Sequence, residues 1–290
     1  MAVIRSPVFC ASCCEGRGNG AGRGSRETGG AAVMFEKINY VWRLIGTGIA
    51  FACFSLGGAL MTLFVFPPIA LLTKDDETRI RRVRRVIYHA FRFFVFMLRI
   101  GGIIDSRFHG AEKLSQLRGA LIVANHPALL DTVFLMSRMP DVQCIVKHEL
   151  WDNPYLGGVM RAAGYIRNDG DAMSMMTQCE KALAKGQNIL IFPEGTRSVP
   201  GQPIRFQRGF ANIATHFETP IQLVTILCDP PTLAKGSPWY AIPPRQSRFD
   251  ISFDELLDMS GYLRHEPRSI KVRRLTRELE QYYIGKLCHE

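Results

Sequence analysis

Residues 120–131 read ALIVANHPALLD, an apolar run that ends in a polar turn. The run at 120–124 is short and rich in branched side chains, which is typical of a strand buried on both faces. Strands of that kind belong to parallel sheets that helices cover. The stretch therefore predicts an α/β fold, and it places His126 and Asp131 just after a strand.

Three further apolar runs predict strands at residues 142–146, 188–192 and 221–227. A helix is predicted over 172–184, because Gly186 is a usual C-terminal stop. Strands that alternate with helices indicate a mostly parallel sheet flanked by helices. We expect residues 108–290 to form this domain, closed by an amphipathic helix from Arg268 to Lys286. Ligands should gather at the carboxyl ends of the strands.

His126 and Asp131 are the first candidate pair for chemistry. A histidine can act as a general base near neutral pH, and a carboxylate can hold its tautomer and stabilise the imidazolium. On a straight helix, side chains five residues apart would point about 140° apart. The pair can meet only if His126 lies in a turn and Asp131 begins the next helix, with Pro127 suited to a first helical position. Alternatively, Asn125 caps a helix and His126 is incidental.

A second polar cluster, FPEGTRS at residues 192–198, also follows a predicted strand. Glu194 and Arg197 lie three residues apart, and Gly195 allows close backbone approach to a ligand. Arginine binds phosphate in a bidentate manner that lysine does not match. The cluster predicts a site for a phosphorylated ligand, and the alternative is a structural turn with an internal ion pair.

The N-terminal part of the chain looks membrane-attached. Residues 44–72 are 29 residues without a charge, and a straight helix of that length reaches about 43 Å. A hydrocarbon core is about 30 Å thick. Pro67 should end or kink the helix, which favours one span ending near Phe66 or an apolar hairpin in one leaflet. A cleaved signal peptide is disfavoured, because the run is too long and no small-residue cleavage site follows it.

A basic stretch follows, with Arg79, Arg81, Arg82, Arg84 and Arg85. The next segment, 91–104, is apolar and aromatic apart from two arginines. Together they predict a basic amphipathic helix on an anionic, cytoplasmic membrane face. The alternative is a solvated helix whose other side lies in the core. We expect residues 34–107 to be the membrane-attaching helices.

The composition agrees with a folded, lipid-facing protein. Hydrophobic residues make up 47% and charged residues 21% of the chain, which excludes global disorder. The net charge of +10 favours an anionic partner. Nucleic acid is disfavoured, because aromatic side chains flank the arginines.

Residues 1–33 are rich in Gly, Arg and Ser and predict a disordered tail. Because the composition changes at Met34, we hypothesise that translation starts there. Cys10, Cys13 and Cys14 cluster in this tail, but no second ligand pair follows at zinc spacing, so no metal site is expected.

The pair N-H-x4-D at 125–131 and FPEGTRS at 192–198, in that order, resembles the glycerolipid acyltransferase family, the 1-acyl-glycerol-3-phosphate acyltransferases. Other blocks resemble the family as well: KHEL at 147–150, PYLG at 154–157, GYIR at 164–167, FQRG at 206–209 and TPI at 219–221. The resemblance covers about residues 85–230.

This resemblance implies a mechanism without an acyl-enzyme. His126 would take the proton from a lysolipid hydroxyl, and Asp131 would orient His126. The implied substrate-binding residues are Arg167, Glu194, Gly195, Thr196 and Arg197. The donor would be acyl-ACP or acyl-CoA as a co-substrate, with no other cofactor. The product would be phosphatidate, made at the inner membrane with the catalytic domain on the cytoplasmic face.

The first block departs from the family pattern, which usually has a small hydroxyl residue and an aromatic residue between His and Asp. Pro127, Ala128 and Leu129 stand there instead. The acceptor therefore stays open between lysophosphatidate, a lyso-ornithine lipid and a specialised glycolipid or polyene-lipid precursor. An alternative from another class is a catalytically silent lipid-binding membrane protein.

Overall fold

The computed structural model of the chain describes residues 30–262 and 264–288. The expected tail and its cysteine cluster lie outside the described residues, apart from the last tail residues, which begin a helix at Gly30. This first helix, α1 (Gly30–Leu60), passes through a π-helical turn (Met61–Val65) into α2 (Phe66–Leu72). By length and composition, the segment Val33–Leu72 could cross a membrane.

The sequence predicted that Pro67 would end or kink this helix near Phe66. In the structure the helix does not end there. In the π-helical turn the amide of Phe66 donates to the carbonyl of Met61, one residue further back than in an α-helix. Pro67 then lies in the first turn of α2, where proline is tolerated because its missing N–H needs no partner. The chain therefore stays helical to Leu72.

The predicted amphipathic helix forms part of α3 (Asp76–Ile100). Asp75 caps its N-terminus, where the carboxylate accepts the Thr78 amide at 2.7 Å. The helix packs on α1 through Phe54, whose ring centroid lies 6.0 Å from that of Phe91 and 5.5 Å from that of Phe94. Four apolar side chains of α3 remain exposed: Phe93, Phe96, Met97 and Ile100.

Arg84 corrects the expectation that the whole basic stretch faces outward. It is buried, and its Nη1 pairs with Asp141 at 3.0 Å. Its Nε donates to the carbonyl of Ala163 at 2.9 Å, and its Nη2 donates to that of Gly164 at 3.3 Å. Arg84 therefore fastens α3 to the segments around Asp141 and Ala163.

The strands in chain order are β1 (Ile104–His109), β2 (Leu121–Ala124), β3 (Val142–Lys147), β4 (Ile166–Asn168), β5 (Asn188–Ile191), β6 (Ile221–Asp229) and β7 (Ser247–Leu257). They form one sheet in the order β1-β7-β6-β2-β5-β3-β4. Pairing is parallel throughout, except that β7 is antiparallel to β6. The predicted α/β class, with a mostly parallel sheet between helices and an apolar helical segment before it, is confirmed.

The continuous apolar runs predicted only β2, β3, β5 and β6. In β1 and β7 buried residues alternate with more exposed ones, so neither strand shows an apolar run. At three residues, β4 is too short to show a period.

The remaining helices are α4 (Asp131–Met136), α5 (His148–Trp151), α6 (Gly157–Ala162), α7 (Ala172–Ala184), α8 (Gly209–Phe217) and α9 (Arg268–Cys288). The predicted helix over 172–184 coincides with α7, and the predicted C-terminal helix is α9. Side chains of α3, α4 and α6 form the core on one face of the sheet, and those of α7, α8 and α9 form it on the other. The carboxyl ends of β2, β3 and β5 meet at one edge of this sandwich.

We expect Arg84→Ala to lower the free energy of unfolding by about 3 kcal/mol, because two carbonyls and Asp141 lose their donor. The exposed neighbour Arg85 provides the control, and Arg85→Ala should change stability by less than about 0.5 kcal/mol. Thermal unfolding in detergent compares the two. Equal melting temperatures would contradict a fastening role for Arg84.

Candidate active site

The site begins where β2 ends, at the buried side chain of Asn125. Its amide Nδ2 donates to the carbonyl of Ile226 at 2.8 Å, and its Oδ1 accepts the Ile226 amide at 2.7 Å. These two bonds tie the end of β2 to β6. The following residue, His126, therefore leaves the sheet from a fixed point.

A short turn separates His126 from Asp131, which opens α4. The Asp131 carboxylate accepts the Ala128 amide at 2.7 Å, and this bond closes the turn. The positive end of the helix also favours a carboxylate at this position. The predicted placement of His126 and Asp131 is observed, but Pro127 lies inside the turn and not at the first position of the helix.

The His126 ring lies between the Asp131 carboxylate and the Phe192 ring. Nδ1 is 2.8 Å from Oδ2 of Asp131, and the ring stacks on Phe192 at a centroid distance of 4.2 Å. When Asp131 is ionised, Nδ1 carries the proton and donates it to the carboxylate, so Nε2 presents its lone pair. Because the His126 side chain lines a cleft, this lone pair is available to a ligand.

Burial dominates the electrostatics of Asp131. It raises the pKa of this carboxyl from 3.8 to about 6, against the opposing effect of hydrogen bonds from His126 and the Ala128 amide. Its Oδ1 is buried without a hydrogen-bond partner among the described residues. The carboxylate is therefore held in a dry environment, where its interaction with an imidazolium is strong.

Glu194 binds two loops together. Its Oε1 accepts the backbone amide of His126 at 2.8 Å, and its Oε2 accepts the Ser198 hydroxyl at 2.7 Å. The Ser198 amide donates in turn to the His126 carbonyl at 2.8 Å. Both carboxylate oxygens are thus engaged within the protein, and Glu194 contacts the backbone of the candidate base. The motif at residues 192–198 included Glu194, but the sequence did not show that the His126 amide would be its partner.

Gly195, Thr196 and Arg197 line the cleft beside His126. Gly195 adopts φ +68°, a left-handed conformation that glycine tolerates best. Arg197 Nη1 donates to the carbonyl of Leu233 at 2.8 Å, which leaves other guanidinium N–H groups for a ligand. The structure does not bring Arg167 to this group. It lies on β4 outside the cleft lining, with Nε 4.0 Å from Asp169.

The cleft has a volume of about 680 Å³ and runs from His126 to the inner faces of α1 and α3. Among the described residues, its lining is mostly apolar and contains no Asp or Glu, whereas Arg43, Lys147 and Arg197 supply positive charge. Sequence reasoning had not assigned Arg43 or Lys147 to the site. Lys147 could have been found at the carboxyl end of a predicted strand, and Arg43 is the last charge before the uncharged run.

The raised pKa of Asp131 generates a prediction about stability. Between about pH 4 and 6 the folded protein keeps a proton that the unfolded chain releases. This stabilisation is complete below about pH 4 and is lost as the pH rises through about 6. We therefore expect the unfolding free energy of the wild type, relative to Asp131→Asn, to fall by about 3 kcal/mol over that window.

Denaturant unfolding of both proteins at pH 4 and pH 7 measures this difference. A difference that stays constant with pH would show that burial does not raise the pKa of Asp131.

Part of the chain is similar to a known protein family. Residues 105–227 match the model of the Acyltransferase family. The 1-acyl-sn-glycerol-3-phosphate acyltransferase of Helicobacter pylori is 34% identical over 37% of this chain and 48% of its own length. The protein of the same name from Pseudomonas aeruginosa is 28% identical over 48% of this chain and 56% of its own. The chain thus spans about half the length of the curated relatives it matches.

A solved structure shares the fold. The crystal structure of the 1-acyl-sn-glycerophosphate acyltransferase PlsC from Thermotoga maritima superimposes with a TM-score of 0.59. It is 21% identical, and the match covers 83% of this chain and 97% of that one. The resemblance carried by the two motifs is confirmed: residues 105–227, which contain both motifs, match the Acyltransferase family model.

Proposed function

We propose that this protein transfers a fatty acyl group from an acyl thioester to the free hydroxyl of 1-acyl-glycerol-3-phosphate, which yields phosphatidate. The observation that carries the proposal is the His126–Asp131 pair at a cleft whose charged lining is cationic. Residues 105–227, which contain both motifs, match the Acyltransferase family model, and relatives that bear the name of this activity are similar to part of the chain. An apolar cleft that is also lined by Arg43, Lys147 and Arg197 suits a phosphorylated lipid.

In the proposed reaction, Nε2 of His126 removes the proton from the acceptor hydroxyl as the oxygen attacks the thioester carbonyl. Asp131 holds the Nδ1 proton and stabilises the imidazolium that forms. The tetrahedral adduct then collapses, the carbon–sulfur bond breaks, and His126 returns the proton to the leaving thiolate. No covalent acyl-enzyme is required. Acyl-ACP and acyl-CoA present the same thioester, and no further cofactor enters the mechanism.

The acceptor phosphate is assigned to Arg197, with Thr196 and Gly195 next to it in the chain and Lys147 in the same cleft lining. The free N–H groups of Arg197 suit a phosphate in two-point contact. For Glu194 we propose a positioning role, because its carboxylate is occupied by the backbone of His126 and by Ser198. Arg167 is left out of the proposed phosphate site.

The apolar N-terminal helix and the lipid acyltransferase relatives indicate membrane association. We favour attachment to one leaflet, because α1 packs along the catalytic domain. Arg43 and Thr47 are buried near its start, and Gly58 touches the backbone of Tyr155 further along. The opposite side of α1 exposes apolar residues from Ile38 to Leu60. Exposed arginines of α3 suit anionic head groups on the cytoplasmic face of the inner membrane.

We expect His126→Ala to reduce acyl transfer by at least about 10²–10⁴-fold, because the general base is lost. Washed membranes containing the protein would be given labelled acyl-ACP or acyl-CoA with lysophosphatidate. His109→Ala is the matched control, since His109 is exposed on β1 away from the cleft, and it should retain activity.

Phosphatidate formation that persists in His126→Ala would overturn the assignment of the base. Thioester consumption with crude lipid extract but not with lysophosphatidate would move the acceptor to another lysolipid. An absence of consumption under both conditions would favour a lipid-binding protein without catalysis.

Arg197→Lys should raise the KM for lysophosphatidate by about tenfold with a smaller effect on kcat, because a point charge replaces a planar fork. The loss of one charge-assisted hydrogen bond accounts for a change of this size. Arg118→Lys, at an exposed turn before β2, is the control. An unchanged KM would mean that Arg197 only braces the backbone at Leu233.

A further inference from the structure

The segment that joins β6 to β7, residues 230–246, carries two neighbouring exposed aromatic side chains. Trp239 is 45% exposed and Tyr240 is 59% exposed, and their rings meet edge to face at 5.7 Å. Large aromatic side chains seldom stay in water side by side without a partner, because their burial is favourable. Their exposure here indicates a surface that something else covers.

This loop is fastened to α1. The Trp239 ring lies 6.2 Å from that of Phe51, and a Cβ at Gly48 would come within 3.2 Å of it. The buried guanidinium of Arg43 donates from Nη1 to the carbonyl of Pro243 at 3.0 Å and from Nη2 to that of Pro244. An arginine in an apolar helix thus uses its charge to hold the loop against that helix.

The loop and α3 lie on opposite flanks of α1. Gly48 packs on Trp239, whereas Gly46 packs on Ile103, which follows α3. Two residues along a helix differ by about 200° in direction, so these neighbours are on opposite sides of the helix. Between them α1 exposes an apolar stripe that includes Ile38, Ile45, Ile49, Leu56 and Leu60. Trp239 and Tyr240 therefore continue this apolar surface on the side away from α3.

We propose that the β6–β7 loop is a third membrane-contacting element, with Trp239 and Tyr240 seated at the head-group level of the bilayer. The proposal rests on the membrane association proposed above. Its occupant is lipid because the aromatic pair continues an apolar stripe whose composition is that of a membrane helix. Tryptophan and tyrosine favour the membrane–water interface, where the ring is buried and the polar group stays wet.

The other end of the loop reaches the candidate active site. The carbonyl of Leu233 accepts Arg197 Nη1 at 2.8 Å and the Leu129 amide at 3.3 Å. The β6–β7 loop therefore contacts α1 through Trp239 and the cleft residue Arg197 through Leu233. If Trp239 and Tyr240 lie in the membrane–water interface, they would fix the distance between Arg197 in the cleft and the bilayer surface.

The three tryptophans of the chain, Trp42, Trp151 and Trp239, allow a direct test. The full chain carrying Trp42→Phe and Trp151→Phe keeps only Trp239 and would be placed in phospholipid vesicles. Lipids brominated high on the acyl chain should quench its emission more than lipids brominated near the chain end. Trp151→Phe with Trp239→Phe keeps only Trp42, the exposed tryptophan of α1, as the membrane control.

A negative control removes all three tryptophans and adds His216→Trp, on α8 in the opposite helix layer, where bromolipid should have no effect. Quenching of Trp42 without quenching of Trp239 would overturn the loop proposal and leave membrane association intact. Quenching of neither residue would overturn both. If neither bromolipid nor aqueous acrylamide quenches the emission of Trp239, protein covers the loop and the proposal is wrong. Because emission does not depend on turnover, these outcomes are independent of the catalytic proposal.

Discussion

The buried carboxylate of Asp131 is the constraint around which the candidate site is arranged. Its burial raises its pKa, so it stays ionised only with close donors, and the His126 ring and the Ala128 amide supply them. These donors can converge only if β2 ends at Ala124, just before Asn125, and α4 begins at Asp131. The hydrogen bonds of Asn125 to Ile226 and of Glu194 to the His126 amide fix the end of β2 and the start of the turn that leads to α4.

The second organising feature is the contact between the apolar N-terminal helices and the catalytic domain. Arg43 and Arg84 are both buried cations, and each donates to backbone carbonyls of the domain. Charged side chains are expensive to bury, so each is satisfied by several acceptors. The two arginines attach α1 and α3 to the domain that contains His126. The cleft can therefore extend from the apolar N-terminal helices to the candidate base.

Much of the fold could be predicted, because buried parallel strands and a capped helix leave local patterns. The runs that became β2, β3, β5 and β6 are continuous and apolar, and the helix at 172–184 ends before Gly186. Strands β1 and β7, which pair with each other at one side of the sheet, alternate in burial and carry no such run. The two motifs of the site were also readable, whereas the role of Arg167, which the resemblance implies and which is not among the residues that line the cleft, stays a prediction.

The sequence by itself determined the α/β class, the apolar N-terminal helix and the acyltransferase resemblance, and it showed how His126 and Asp131 could meet. Each depends on residues close together in the chain or on an ordered set of motifs. Tertiary structure alone decided that Glu194 holds the His126 amide, that Arg84 is buried and that Arg43 clasps the β6–β7 loop. Those roles depend on acceptors that are distant in sequence, and a charged side chain carries no local sign of which carbonyl will face it after folding.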